Sequence, residues 1–362
     1  MRYSISDSIN KPIYLQLYEQ VREDIVNSYY PYGVKLPSKR TVAEDLGIST
    51  ITVEHAYGLL SEEGYVEPRE RSGFFVIFRK DDGFARTITR EVVPVSYEKE
   101  EKQVQFPLSV LTKTMRRVMS DYGEGILMKS PSVGCMVLRR AIADYLARSK
   151  GLYARPEQIV VGSGAEYLYG LIVELLGEEL VYAIESPSYE KIEKVYEASR
   201  VKIELLPLGV DGIESNALKN SKANVLHISP YRSFPTGITA TASKRHEYIR
   251  WAKEGKRYIV EDDFESEFSV SKKTEETVFS LSKENNVIYM NTFTRTISPA
   301  LRVGYMVLPN YLAERFQDKL GVYSCTVPTF EQYVIAELIQ SGDFERHVNR
   351  VRRNKRRELK LN

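Results

Sequence analysis

Between residues 159 and 308, short runs rich in Val, Ile and Leu alternate with stretches of helical spacing, and this restricts the chain to few folds. The runs lie at 159–161, 180–184, 201–206, 225–228, 258–260, 287–290 and 303–308. Apolar runs of this length read as buried strands, and helical patterns separate most of them. The expectation is an α/β unit built on a mainly parallel, doubly wound sheet. Ligands bind to such sheets at the carboxyl ends of the strands.

The segments that follow the strands carry the chemistry. Val161-Gly-Ser-Gly-Ala-Glu-Tyr-Leu168 leaves a strand and opens a helix. Its small residues let the backbone approach a ligand, and the helix N-terminus offers N–H groups to a phosphate. Glu185-Ser-Pro-Ser-Tyr189 places an aromatic ring in a turn, for ligand stacking or for core packing. Glu261-Asp-Asp-Phe-Glu-Ser-Glu-Phe268 concentrates five carboxylates, with no His or Cys nearby to suggest a metal centre. Asn291-Thr-Phe-Thr-Arg-Thr-Ile-Ser-Pro-Ala-Leu-Arg-Val-Gly-Tyr305 joins two strands through a hydroxyl-rich loop carrying Arg295 and Arg302, a combination suited to holding a phosphate.

This last loop resembles the cofactor-lysine loop of fold-type I pyridoxal phosphate (PLP) enzymes, S/T-x-S-K-T-x-x-P-x-L-R-x-G-Y. Residues 134–146 resemble the G-x-x-x-L-R-x-x-I-A-x-Y-L signature of the class I/II aminotransferases in that group. The resemblance implies that Ser163, Gly164, Ala165 and Glu166 cup the cofactor phosphate, that Thr292 and Arg302 hold it, and that Tyr189 stacks on the pyridine. Asp262 would pair with the pyridine nitrogen and strengthen the cofactor as an electron sink. Position 295 lies 33 residues after Asp262 and seven before Arg302, both spacings that suit the family. Arg295 therefore stands where the family has its Schiff-base lysine. Phe264 replaces the family tyrosine that donates to the cofactor's phenolic oxygen, and Glu166 replaces a neutral glutamine. Ser229-Pro-Tyr-Arg-Ser-Phe-Pro-Thr-Gly237 and the 261–268 segment are closer to the forms found in MocR/GabR-type regulators than to those of free-standing aminotransferases.

The N-terminal 80 residues are of another kind. Pro12 opens a helical pattern through Ile13, Leu17, Val21 and Ile25, stopped at 30–33. Ser38 and Ser49 can cap two short helices joined through Gly47, the second with Val53, Ala56, Leu59 and Leu60 on its apolar face. Residues 64–78 read as a hairpin with its turn at 70–73. The set resembles the winged helix-turn-helix of the GntR superfamily, and the bland alternative is a helical dimerisation module without a DNA partner. By resemblance Ser38, Lys39 and Arg40 meet the DNA backbone, and the helix from Ser49 enters the major groove. Thr50, Thr52 and His55 would read base edges, and Arg69 and Arg71 would approach the minor groove or the phosphates. The family Arg after the capping Ser is Thr50 here, which removes a bidentate guanine contact.

Residues 81–110, with the charged run 98–102, read as a solvated tether between a DNA module at 1–80 and a large domain at 111–343. Residues 344–362 hold eight Lys/Arg against two Asp/Glu, with Phe344, Val348 and Val351 on one side. They form either a nucleic-acid patch or the start of the connecting helix that leads, in the family, to a small C-terminal domain. In the family that domain carries the substrate-carboxylate Arg, and by resemblance no counterpart of it is expected within residues 1–362. Residues 1–80 hold ten Lys/Arg against eleven Asp/Glu, so any DNA contact depends on locally placed cations. Two distant Cys, no apolar run of membrane-span length and no signal-like start fit a cytoplasmic protein.

The reading is a transcription regulator, with double-stranded DNA as its partner by resemblance. Its aminotransferase-like domain forms a homodimer and senses an amino compound, with PLP held non-covalently if at all. Transamination requires a neutral amine at the cofactor lysine position, and the always-protonated guanidinium of Arg295 cannot supply one. No catalytic residue and no metal site is assigned.

Overall fold

The computed structural model describes residues 3–6, 11–79, 106–264, 266–269 and 276–361, with side chains as far as residue 358. Two compact units divide between Glu98 and Lys99. Most of the tether expected at 81–110 lies outside the described residues.

In the smaller unit, α1 (Ile13–Val26), α2 (Lys39–Leu46) and α3 (Thr50–Glu62) precede a hairpin of β1 (Val66–Arg69) and β2 (Gly73–Val76). Leu17, Val21 and Ile25 of α1 share one buried cluster with Val53, Ala56, Tyr57 and Leu60 of α3. Tyr57 takes the core place expected of Leu59, because positions 53, 56, 57 and 60 lie on one helical face and Leu59 is turned partly outward. Ser38 and Ser49 cap α2 and α3, each accepting a hydrogen bond from the backbone N–H three residues on. Gly47 ends α2 at φ +63°, the left-handed conformation that turns the chain into α3. The strands pair antiparallel from Val66↔Val76 to Arg69↔Gly73, with the turn where the sequence places it.

The larger unit opens with α4 (Leu108–Tyr122) and α5 (Met136–Lys150). The first turn of α4 falls inside the expected tether. Phe106 is already buried against this unit's core, and Pro107 starts the helix, so the tether ends earlier than its polar composition suggests. There follow β3 (Ile159–Gly162), α6 (Ala165–Leu176), β4 (Val181–Ser186), α7 (Glu190–Ala198), β5 (Lys202–Gly209), β6 (Gly212–Ile213), α8 (Ser215–Asn220), β7 (Val225–Ile228), α9 (Ala242–Gly255) and β8 (Tyr258–Asp262). The chain continues through α10 (Val278–Leu281), β9 (Val287–Thr292), β10 (Gly304–Val307), α11 (Asn310–Leu320), α12 (Thr329–Gln340) and α13 (Asp343–Leu361).

One eight-stranded sheet runs in the order β3-β10-β9-β8-β7-β4-β5-β6. β5, β4, β7, β8 and β9 are parallel neighbours, whereas β10 is antiparallel to both β9 and β3, and the short β6 is antiparallel to β5. Every strand expected from the apolar runs is present. Alternate residues face opposite layers, as the pleat requires. Ile159, Val161, Tyr305 and Val307 pack with α5 and α12, while Val160, Ile288, Met290 and Met306 pack with α6 and α11. Phe344, Val348 and Val351 of α13 are buried, so the basic helix docks by its apolar side. No described helix is long and apolar enough to cross a membrane.

Candidate functional site

A cleft of about 590 Å³ opens at the carboxyl ends of the parallel strands. Each wall comes from the segment after one strand. Ala165 and Glu166 stand at the start of α6 after β3, Tyr189 and Lys191 follow β4, and Phe234 follows β7. Asp262 ends β8, with Phe264 and Phe268 in the next turn. Thr292, Thr294, Arg295 and Arg302 belong to the β9–β10 loop. Lys355 reaches in from α13.

Asp262 is 2% exposed. Its Oδ2 accepts a hydrogen bond from the Tyr169 hydroxyl at 2.5 Å and lies 3.7 Å from His227 Nε2. The Tyr196 hydroxyl sits 2.7 Å from the other ring nitrogen of His227. Among the described residues, Asp262 Oδ1 has no hydrogen-bond partner. A buried carboxylate oxygen without a partner is costly, so this atom is open to a donor that a ligand brings. Burial, then the charge of Asp262, hold the Tyr169 hydroxyl far above its ordinary range, so it stays a donor.

Across the cleft, Glu166 bridges two cations. Arg302 donates to its Oε2 at 2.5 Å and Lys191 to its Oε1 at 3.0 Å. Burial raises the Glu166 carboxyl, but its own backbone N–H, Lys191 and Arg302 together bring it below the ordinary value. Gly164 makes this contact possible: its φ is +86°, and a Cβ there would come within 3.2 Å of the Arg302 guanidinium. Arg295 is exposed at the tip of the loop, its guanidinium 5.8 Å from the Phe264 ring centre. Tyr189 meets Phe234 edge-on at 5.9 Å.

The structure brings Ala165, Tyr189, Asp262, Thr292, Arg295 and Arg302 together around one cleft. Ser163 is turned elsewhere, its hydroxyl donating to Thr326. Tyr169, Lys191, His227 and Lys355 carry no motif signal and are found only by folding. The neighbouring acids divide by strand alternation. Glu261 accepts from the backbone N–H groups of Val278 and Phe279, both at 2.8 Å, and burial pushes its carboxyl up to about 8. Asp263 meets the buried Lys150 at 2.5 Å and the Tyr289 hydroxyl at 2.8 Å. Glu267 takes a hydrogen bond from Asn291 at 2.8 Å. This stretch is therefore a buried ionic network around Lys150, and not the solvated turn its composition allows.

In the smaller unit, Thr50, His55, Arg40, Arg69 and Arg71 are exposed. Lys39 pairs with Glu54 at 2.7 Å, and the Arg69 guanidinium lies 4.3 Å from the Phe75 ring centre. The hydroxyls of Ser49 and Thr52 are 2.8 Å apart within the α3 cap, and those of Ser38 and Thr41 pair likewise at 2.7 Å. Ser38, Ser49 and Thr52 thus have a structural task besides the expected DNA contact.

Known proteins sharpen this picture. Residues 13–76 match the bacterial regulatory proteins of the gntR family, and residues 99–360 match the aminotransferase class I and II family. The chain is 32% identical to the uncharacterized HTH-type transcriptional regulator YdeL of Bacillus subtilis, over 96% of this chain and 78% of that one. It is 26% identical to the probable rhizopine catabolism regulatory protein MocR of Rhizobium meliloti, over 94% and 74%. It is 27% identical to the pyridoxine biosynthesis regulator PdxR of Corynebacterium glutamicum, over 93% and 75%.

Among solved structures it resembles an archaeal alanine:glyoxylate aminotransferase, with a TM-score of 0.62 and 23% identity. It also resembles LysN, the alpha-aminoadipate aminotransferase of Thermus thermophilus, with a TM-score of 0.61 and 27% identity. The aligned part covers 67% and 68% of this chain, and the chain spans 62% and 64% of the length of those two enzymes.

A helix-turn-helix unit joined to an aminotransferase-type α/β unit defines a class of DNA-binding transcription regulators. The chain belongs to the MocR/GabR-type branch of the GntR family.

Proposed function

We propose that this regulator binds double-stranded operator DNA through its smaller unit and uses the cleft of the larger unit to sense a small molecule, without carrying out transamination. The observation that carries this reading is the cleft itself. It gathers a buried acceptor, Asp262, with Thr292, Arg302 and Arg295, which by motif resemblance stand at the phosphate-holding positions and at the position where aminotransfer needs an amine. A guanidinium stays protonated and delocalised at neutral pH, so it neither forms an imine nor shuttles a proton.

The cleft fits a phosphorylated pyridine such as PLP. The unpartnered Oδ1 of Asp262 suits a protonated ring nitrogen, Tyr189 offers an aromatic wall, and Thr292, Arg302 and the start of α6 suit a phosphate. When bound, that group supplies an electron sink. Asp262 holds the ring proton, Tyr169 fixes the Asp262 carboxylate, and Arg302 neutralises the phosphate. Arg295 adds charge without a covalent bond, so the ligand is held reversibly. An amino compound is the natural effector of such a site.

Self-association has support in the exposed apolar side chains of α4 and the turn after it, with Leu108 74%, Met119 56%, Leu127 81% and Met128 70% exposed. A DNA ligand makes the cytoplasm the working compartment. One feature favours a second reading, a cleft that works without a phosphate ligand: Glu166 already neutralises Arg302 and Lys191.

The test is a gel shift of the full chain on DNA from upstream of its own gene, over a range of salt concentrations, with and without PLP. Salt-sensitive binding that PLP alters is expected. Absence of salt-sensitive binding removes the regulator reading. Binding indifferent to PLP, with no PLP retained on dialysis, favours the cofactor-free cleft.

A further inference from the structure

We propose that Ile51 selects thymine, packing its side chain on the C5-methyl group of one thymine in each half-site. This rests on α3 being the helix that enters the major groove. Val53, Ala56, Tyr57 and Leu60 bury one side of α3, which leaves Thr50, Ile51, Glu54 and His55 on the opposite, exposed side. Ile51 is 64% exposed in the first turn, the part of a recognition helix that reaches base edges.

Several of its neighbours also make contacts within the unit. Ser49 and Thr52 close the cap on each other at 2.8 Å. Glu54 is held by Lys39 at 2.7 Å, which also ties this face to the cationic start of α2, where a phosphate backbone would run. His55 lies edge-on against Tyr14 at 5.8 Å. Isoleucine has no donor and no acceptor, so it cannot read a base by hydrogen bonding. The one apolar feature on a major-groove edge is the methyl group of thymine, and burying the two surfaces together favours T over C, G or A at that position. Ile51 is the large apolar side chain left exposed in the first turn of α3.

The experiment starts by enriching duplexes from a random-sequence library with the full chain. The enriched duplex is then synthesised with deoxyuridine replacing each thymine in turn, and bound to the wild type and to Ile51→Ala. Deoxyuridine keeps base pairing and removes only the methyl. At one thymine per half-site the wild type should lose about fourfold in affinity, the worth of one buried methyl group. Ile51→Ala should bind the two duplexes equally there, and its thermal unfolding should match the wild type because the side chain is exposed. Enriched sites without a fixed thymine, or an equal loss in both proteins, would overturn the assignment of Ile51 while leaving DNA binding by this unit intact. Failure to enrich any sequence would overturn the DNA-binding reading and this one with it.

Discussion

Two carboxylates face the cleft, and their surroundings give them opposite tasks. Asp262 accepts from Tyr169 on one oxygen and has no partner among the described residues on the other, which leaves that oxygen open to a ligand. Glu166 spends both oxygens on Arg302 and Lys191, so a phosphate must compete with it. Glu166→Gln removes that competing charge and should raise affinity for PLP about tenfold, the scale of one charge-assisted hydrogen bond. Equilibrium dialysis measures this, and an unchanged affinity would place the phosphate elsewhere. Glu185 is a third case. It accepts from the Ser233 hydroxyl at 2.6 Å, yet burial pushes its carboxyl up to about 7. A raised carboxyl keeps its proton in the folded state while the unfolded chain gives it up. The associated stability is therefore full below about pH 4.5, declines as pH rises toward 7, and is level above that. Relative to Glu185→Gln, the wild type should lose roughly 3 kcal/mol across this window, read from urea unfolding at pH 4.5 and pH 8. The sequence marks Asp262 and Glu185 through the motifs they sit in. It does not reveal that Tyr169 and Ser233 are their partners, because these lie 93 and 48 residues away.

At the scale of elements, the strands were legible because buried parallel strands are continuous apolar runs. β6 was not, since two residues, Gly212 and Ile213, make no pattern. The first turn of α4 was missed because Pro107 starts it soon after the charged, aperiodic run at 98–102. The helix starts of the smaller unit could be read from local chemistry, because a cap needs only a hydroxyl and the backbone three residues on. Ser49 illustrates what that element depends on: its Oγ takes the Thr52 N–H at 3.1 Å and aligns the turn that carries Thr50 and Ile51. Ser49→Ala should cost about 1 kcal/mol in the stability of the smaller unit. DNA affinity should fall alongside it, because the first turn frays. Circular dichroism melts of residues 1–80 beside gel shifts of the full chain check both effects. An unchanged melt would show that the cap does not hold α3.

For the whole molecule, sensing requires the two units to exchange free energy. If PLP changes operator affinity by some factor, the operator must change PLP affinity by the same factor. A coupling of roughly 1–3 kcal/mol is expected for a working sensor, measured as paired titrations of PLP with and without DNA and of DNA with and without PLP. Two titrations without any reciprocal shift would mean that the cleft does not report to the DNA unit. The sequence by itself determined the division into a winged helix-turn-helix and an α/β unit, the order of strands along the chain, and the residue types after each strand. These are local matters: apolar period, caps, turns and motif spacing act over a few residues. Only the tertiary structure decided that Asp262 keeps an unpartnered oxygen, that Glu166 closes on Arg302 and Lys191, and that Lys355 reaches the cleft opened by the β9–β10 loop around Arg295. Those facts depend on which distant segments the sheet order makes neighbours and, for Asp262, on burial that makes an unpartnered oxygen costly.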